Sequence, residues 1–400
     1  DGVGDQKTRE VVVDRELTFS VGERFDFAKI GESQANIYRT GLFNSVWIEP
    51  APDDTGRAQK SVIVRVQERP SGDVDFTAGY AVVDGFEVGS SFINRNVQGQ
   101  ATTLGLGGTY SEHSRTARAS AGDPWFLGRR VAIETAASYE WYERIIVNLD
   151  SESSEEKRTL TETIGASIIL SKELGLNLTL ESGYKHERTV VLENTDEEEG
   201  TGVNRTSDVL LAVMFDSRDD VMGASRGMFA RGQIDFASSR LGGTNDFVRV
   251  DLDWRGYLKV SHGRVGAMEL RLGWVRPQGD GSSVPVNERY FAGGEGTVRG
   301  FAQSSFGPVY GDGGARGGRA IVVARAEARF PVYKKLRGAV FVDAGDVFTD
   351  LAATALSDLS VGAGAGLRFE TRIGVLRFDA ATPVSESGEP HYYFGIGQAF

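Results

Sequence analysis

The stretch with the strongest chemical character is "FAGGEGTVRGF", residues 291–301, which sets one arginine, Arg299, among glycines. A guanidinium is a planar fork of N–H donors. It can grip a carboxylate through two bonds and stack on an aromatic face. Gly293, Gly294, Gly296 and Gly300 let the backbone turn tightly and approach another segment. Read on spacing alone, Arg299 is a solvated loop arginine. "GASRG" (223–227) fits the G-x-S-x-G pattern around Ser225. A nucleophile elbow needs a helix after it, however, and "MFARGQIDFAS" alternates as a strand. "GAGAG" (362–366) is flanked by strands on both sides, so it is not read as a nucleotide loop. His113, His186, His262 and His391 are dispersed and offer no i, i+4 ligand pair. The acidic stretches "ESSEEK" and "NTDEEEG" read as solvated loops, with divalent-cation binding as the other reading.

Composition removes whole classes of function. With no cysteine there is no disulfide framework and no thiolate nucleophile or metal ligand. A formal charge of -12 argues against a nucleic-acid partner, which needs a basic face. Nothing in the chain calls for a nucleotide, a metal or another cofactor.

The elements that would position these groups fall into two parts. Residues 1–70 read as a small α+β unit, with helices in "TREVVVDREL" and "DFAKIGESQANIYRTG" and strands in "LFNSVWIEP" and "KSVIVRVQER". Asp26 is an N-cap, Ile30, Ile37 and Tyr38 form an apolar stripe, and Gly41 ends the segment. A strand before the first helix would complete the unit, but only "DGVGDQ" precedes it. The chain starts at Asp1 rather than Met and is read as a mature fragment.

From about residue 72 the periodicity changes to two. In "GDVDFTAGYAV", Val74, Phe76, Ala78, Tyr80 and Val82 share one face. In "VRVDLDWRGYLKV", Val248, Val250, Leu252 and Trp254 oppose Arg249, Asp251, Asp253 and Arg255. So dense a charged face suggests a wet lumen, with the apolar face toward lipid. Mean hydropathy is -0.25 and no apolar run could form a membrane helix, which is compatible with crossing by strands. Tight turns alternate with long polar loops, and about sixteen strands are counted, an even number as a bacterial barrel requires. Trp125, Tyr139, Trp141 and Tyr142 read as part of an interfacial aromatic girdle. The fold expected is mainly β: a 16-stranded antiparallel transmembrane β-barrel over residues 71–400, preceded by the α+β unit.

At this point the sequence resembles a known family. "GDQKTREVVVDREL" and "YRTGLFNSV" look like the opening and the helix-to-strand signature of a POTRA domain. "FDSRDD" with "SRG" (215–227) resembles a mid-barrel motif. "RAEARFP" (325–331) and "FVDAGDV" (341–347) resemble two late strands, and "VRGF" with a terminal Phe400 completes the set. This is the plan of the BamA and TamA outer-membrane insertases, closer to TamA by its short loops and its "TGLFNSV" segment. Relatives carry several POTRA domains, whereas here at most one is read, lacking its first strand.

The resemblance implies that the loop spanning 276–317 folds back into the barrel and that its arginine meets acidic and aromatic residues on the wall. Alternation permits this independently. Arg325, Glu327 and Arg329 lie opposite the apolar face of their strand, as do Phe341 and Asp343 of theirs. The expected loop–lumen contact therefore joins Val298, Arg299, Gly300 and Phe301 to Glu327, Phe341 and Asp343.

The resemblance also implies a lateral seam between first and last strands. Its candidate residues are Asp73, Val74, Asp75, Phe76 and Tyr80 on one side, and Tyr392, Phe394, Gly395, Gly397 and Phe400 on the other. A client strand adding to the exposed edge would use backbone hydrogen bonds that are largely blind to sequence. The implied partners are unfolded outer-membrane protein clients, outer-membrane lipid or lipopolysaccharide, and accessory periplasmic or inner-membrane subunits. Two other functions fit the plan: a two-partner-secretion transporter of the same superfamily, and an outer-membrane barrel enzyme such as a phospholipase.

Overall fold

The computed structural model describes the chain apart from residues 1–6, 52–59, 82–84, 148–155, 195–200, 222, 262, 280–282, 310–314, 354, 372–373 and 397–400. The acidic loops and His262 therefore fall wholly or largely outside the described residues. Two compact units emerge.

The first comprises residues 1–76, 90–107 and 118–135. It begins with α1 (Glu10–Asp14), α2 (Phe27–Arg39), β1 (Phe43–Pro50) and β2 (Val62–Glu68), the order read from the sequence. Asp26 caps α2 by accepting a hydrogen bond from the Ala28 N–H at 2.8 Å. The first helix is shorter than its sequence suggests. Its N-cap, Arg9, makes no side-chain cap bond, and its middle is a β-branched valine run that favours helix weakly. Val12, Ile30, Ile37, Leu42, Phe43, Val46 and Ile48 form the core with Ala101.

Polar contacts inside this unit are specific. The Arg9 N–H donates to the Gly99 carbonyl at 2.8 Å. The Trp125 indole N–H donates to Glu16 at 2.7 Å, and Arg130 pairs with the same carboxylate. Arg15 lies 5.4 Å from the Trp125 ring. Trp125, read from the sequence as part of an interfacial girdle, has its indole N–H engaged by a buried carboxylate.

The sheet runs β3 (Gly72–Ala81), β4 (Gly85–Val97), β5 (Thr102–Tyr110), β6 (Ser114–Asp123), β7 (Ala132–Val147), β8 (Glu156–Glu173), β9 (Leu178–Asn194) and β10 (Gly202–Asp216). It continues through β11 (Gly227–Ala237), β12 (Phe247–Ser261), β13 (Arg264–Pro277), β14 (Ala320–Tyr333), β15 (Leu336–Phe348), β16 (Ser360–Thr371), β17 (Gly374–Pro383) and β18 (His391–Ile396). These sixteen strands form one sheet in sequence order, with β3 and β18 at its ends. The described pairs from β8 to β18 are all antiparallel.

The second unit, residues 77–89, 108–117 and 136–400, inverts the rule of a water-soluble protein. On β14, Arg325, Glu327 and Arg329 are buried while Ala326 and Ala328 are exposed. On β15, Phe341 and Asp343 are buried while Val340 and Val342 are about half exposed. Apolar residues face out and charged ones face in, the pattern of a barrel in lipid. One correction follows on β7. Tyr142 follows Trp141, so the two point to opposite faces. Tyr142 lines an inner cavity with Glu140, Arg144, Glu187 and Glu288 and does not share Trp141's side.

Candidate functional site

The segment between β13 and β14 turns inward, and the sheet curls around it as a 16-stranded barrel. Its first anchor is Glu288, which accepts from Thr206 on β10 and Arg249 on β12, each at 2.8 Å. The Tyr290 hydroxyl donates to Asp251 on β12 at 2.8 Å. Phe291 then meets the guanidinium of Arg144, on β7, at 4.0 Å from ring centroid. The segment thus touches walls on both sides of the interior.

Arg299 is completely buried. Its Nε and Nη2 donate to the two oxygens of Asp343 at 2.7 and 2.9 Å, a bidentate fork. Its backbone N–H donates to Asp343 as well, at 3.1 Å. Nη1 donates to Glu327 on β14 and Asp379 on β17, each at 3.1 Å. The guanidinium carbon sits 3.4 Å from the Phe341 ring centroid, close enough for cation–π attraction. The geometry brings together the whole loop–lumen set named from the sequence: Val298 is fully buried, and Phe301 packs edge-on against Phe306 at 4.7 Å. Both pack with Ala292, Ile321, Val323 and Val347.

Charge balance makes such burial tolerable. Arg368 on β16 pairs with Asp379 and reaches Glu327 at 3.2 Å. Arg329 bonds Glu327 at 2.7 Å. Arg377 pairs with Glu295 of the loop, and Arg325 with Glu269 on β13. Each of Glu269, Glu295, Glu327, Asp343 and Asp379 is thus paired with at least one arginine, and Glu269 also meets Arg255 at 3.3 Å and Arg271 at 3.6 Å. A paired and hydrogen-bonded charge escapes most of the penalty that an isolated one would suffer.

Sequence reading missed Asp379, Arg368 and Tyr393. Alternation carried the signal for the first: in "LRFDA" Arg377 and Asp379 are buried and Phe378 is exposed. It also missed the use of "GAGAG". Gly362, Gly364 and Gly366 lie on the inner face of β16, where Gly362 faces Asp343 and Gly366 faces Asp379 in register. A Cβ at Gly362 would overlap the Arg299 carbonyl. Glycine is needed there because another backbone comes that close. Gly300, at φ +99, passes β17 so closely that a Cβ would lie 2.8 Å from the carbonyl carbon of Thr382.

The seam candidates fall on the two end strands. On β3, Val74 and Phe76 are exposed to 59% and 82%, Asp75 is exposed, and Asp73 pairs with Arg95 on β4. On β18, Tyr392 and Phe394 point outward and Gly395 inward. The Tyr80 side chain, Gly397 and Phe400 lie outside the described residues.

The "FDSRDD…SRG" segment, apart from residue 222, is also visible. The Ser225 hydroxyl donates to Asp219 at 2.6 Å, and the Ser225 and Arg226 N–H groups donate to the same carboxylate. The Ser225 hydroxyl first, then these backbone donors, hold the Asp219 carboxyl well below the usual range. Ser225 is followed by β11 and not by a helix.

Residues 96–400 match the Omp85 superfamily domain. The chain is 26% identical to the outer membrane protein assembly factor BamA of Nitratidesulfovibrio vulgaris, over 99% of this chain and 50% of that protein. It is also 26% identical to BamA of Neorickettsia risticii, over 96% of this chain and 52% of that one. The chain thus spans about half the length of these curated relatives. BamA from Haemophilus ducreyi lacking POTRA domains 1-3 superposes with a TM-score of 0.77 at 21% identity, covering 98% of this chain and 82% of that one. CdiB from Acinetobacter baumannii gives 0.65 at 14% identity, covering 99% and 72%. At these identities the structural likenesses speak for the fold alone.

Proposed function

The chain belongs to the Omp85 superfamily, and from that premise we propose that it is an outer-membrane insertase that assembles β-barrel proteins through a lateral seam between β3 and β18. The observation that carries this reading is Arg299, buried in a paired charge cluster that ties an inward loop to the wall beside the closing strand. Relatives named as outer membrane protein assembly factors point the same way. In this reading residues 1–70 are a POTRA-like domain on the periplasmic side that hands over unfolded clients. The apolar outer surface sits in outer-membrane lipid. Accessory subunits would dock on the periplasmic side.

The mechanism needs no covalent chemistry. A client strand that reaches the free edge of β3 gains backbone hydrogen bonds where lipid offers none. Each pairing replaces an unsatisfied polar group, and those are expensive in hydrocarbon. Edge templating then serves many client sequences, because backbone groups are common to all.

The test uses the chain's lack of cysteine. A single cysteine pair, one residue on β3 and one on β18, locks the seam on oxidation. Reconstituted in liposomes with a barrel client, the reduced form is expected to give protease-protected client, and the oxidised form at least tenfold less. Equal insertion by both forms would refute lateral gating. The fold shared with CdiB is also compatible with a second reading, a secretion transporter, without deciding between the two. Export of one dedicated exoprotein, with conductance rising when the loop is removed, would select it. A phospholipase is the remaining alternative. Ser225→Ala is expected to change neither lipase activity nor client insertion, since the Ser225 hydroxyl is engaged with Asp219 in a surface turn. Lipase activity lost in that variant would reverse this assignment.

A further inference from the structure

The inward loop is attached to the closing strand by different means than to its neighbours. Toward β14, β15 and β17 the attachments are ionic: Arg299 to Glu327, Asp343 and Asp379. Toward β18 the bonds between the described residues are neutral. The Tyr393 hydroxyl accepts from the Gly300 N–H at 3.0 Å and donates to the Phe301 carbonyl at 3.2 Å. Tyr393 is only 5% exposed, so water does not stand ready to replace these bonds. One hydroxyl thus uses both its donor and an acceptor site on two successive peptide groups of the VRGF turn. Gly395, two residues along, adds little grip: a Cβ there would lie 3.2 Å from Glu295 and 3.3 Å from Arg377, and glycine offers only a smooth surface.

We infer that Tyr393 is a latch between the inward loop and the closing strand, built to release while the charge cluster stays intact. The asymmetry supplies the reason. Parting an ion pair in a dry interior strands two charges, whereas parting a hydroxyl from two peptide groups strands only neutral partners. When β18 parts from the loop, the loop therefore stays with β14, β15 and β17, and β18 is held by its ladder to β17. Tyr393 is a positioning residue for the seam. Its functional meaning rests on the insertase reading; its effect on β18 does not.

The experiment is Tyr393→Phe in the full chain, which keeps the ring and removes only the hydroxyl. Hydrogen exchange is followed strand by strand in lipid, beside Tyr392→Phe, whose ring points outward and is 59% exposed. Loss of the two neutral bonds is expected to raise exchange of the β18 amides by roughly tenfold. β14 and β15 should stay as in the wild type, and Tyr392→Phe should leave all strands unchanged. Unchanged β18 exchange in Tyr393→Phe would overturn the latch. So would equal increases in β14 and β15, which would mean that the whole loop has come loose. Client insertion by the wild type is measured in parallel. A wild type that inserts nothing while the exchange result holds removes the insertase reading and leaves the latch. A wild type that inserts client while β18 exchange ignores the hydroxyl removes the latch alone.

Discussion

Arg299→Ala is expected to lower the stability of the barrel by about 3–5 kcal/mol, the cost of leaving buried charges without their partner. Three carboxylates lose a common donor: Asp343, Glu327 and Asp379. Two of them keep other arginines, because Arg329 and Arg368 bond Glu327, and Arg368 also pairs with Asp379. Asp343 loses its bidentate fork and is completely buried, so most of the penalty should fall there. Arg299→Lys should cost less than alanine yet more than nothing. It keeps a charge but cannot span both oxygens of Asp343 and lie flat on Phe341 together. The measurement is the denaturant midpoint of the barrel in lipid, with client insertion alongside. A midpoint within error of the wild type, with insertion intact, would rule out a pinned loop.

Gly362→Ala is expected to be the most damaging single methyl group in this region. The atom it would strike is the carbonyl of Arg299, part of a backbone held at both ends, so the neighbour cannot swing aside as a side-chain tip would. Overpacking of this kind typically costs about 1–3 kcal/mol. Here relief comes by lifting the loop off β16, so the damage should appear at Arg299 as well. A double-mutant cycle tests that coupling. In an Arg299→Ala background the loop is already loosened, and the added methyl should cost clearly less than in the wild type. Strict additivity of the two substitutions would separate Gly362 from the loop.

Much of the architecture was legible because it is local. Alternation assigns faces within one strand, so Glu327, Phe341 and Asp343 were placed on the inner wall from their own neighbours. The same rule applied to "LRFDA" would have put Asp379 there, and applied to β7 it would have kept Tyr142 away from Trp141. Trp125 was beyond that rule. Its partner, Glu16, is 109 residues distant in sequence, and an indole beside a carboxylate leaves no local trace.

The sequence by itself determined the strand count, the inverted inside-out polarity and the arginine worth watching. Each of these follows from periodicity or residue type within a few positions. Only the tertiary structure decided which wall groups the loop meets. Arg299 joins Asp343 across 44 residues and Asp379 across 80, and Tyr393 meets Gly300 across 93. Those meetings depend on the pairing registers of β14 to β18, in which Glu327 faces Phe341, Asp343 faces Gly362 and Asp379 faces Tyr393. A one-residue slip in any pair would reverse the inner and outer sets, and register is set by the buried face of each strand together with the turns that join the pairs.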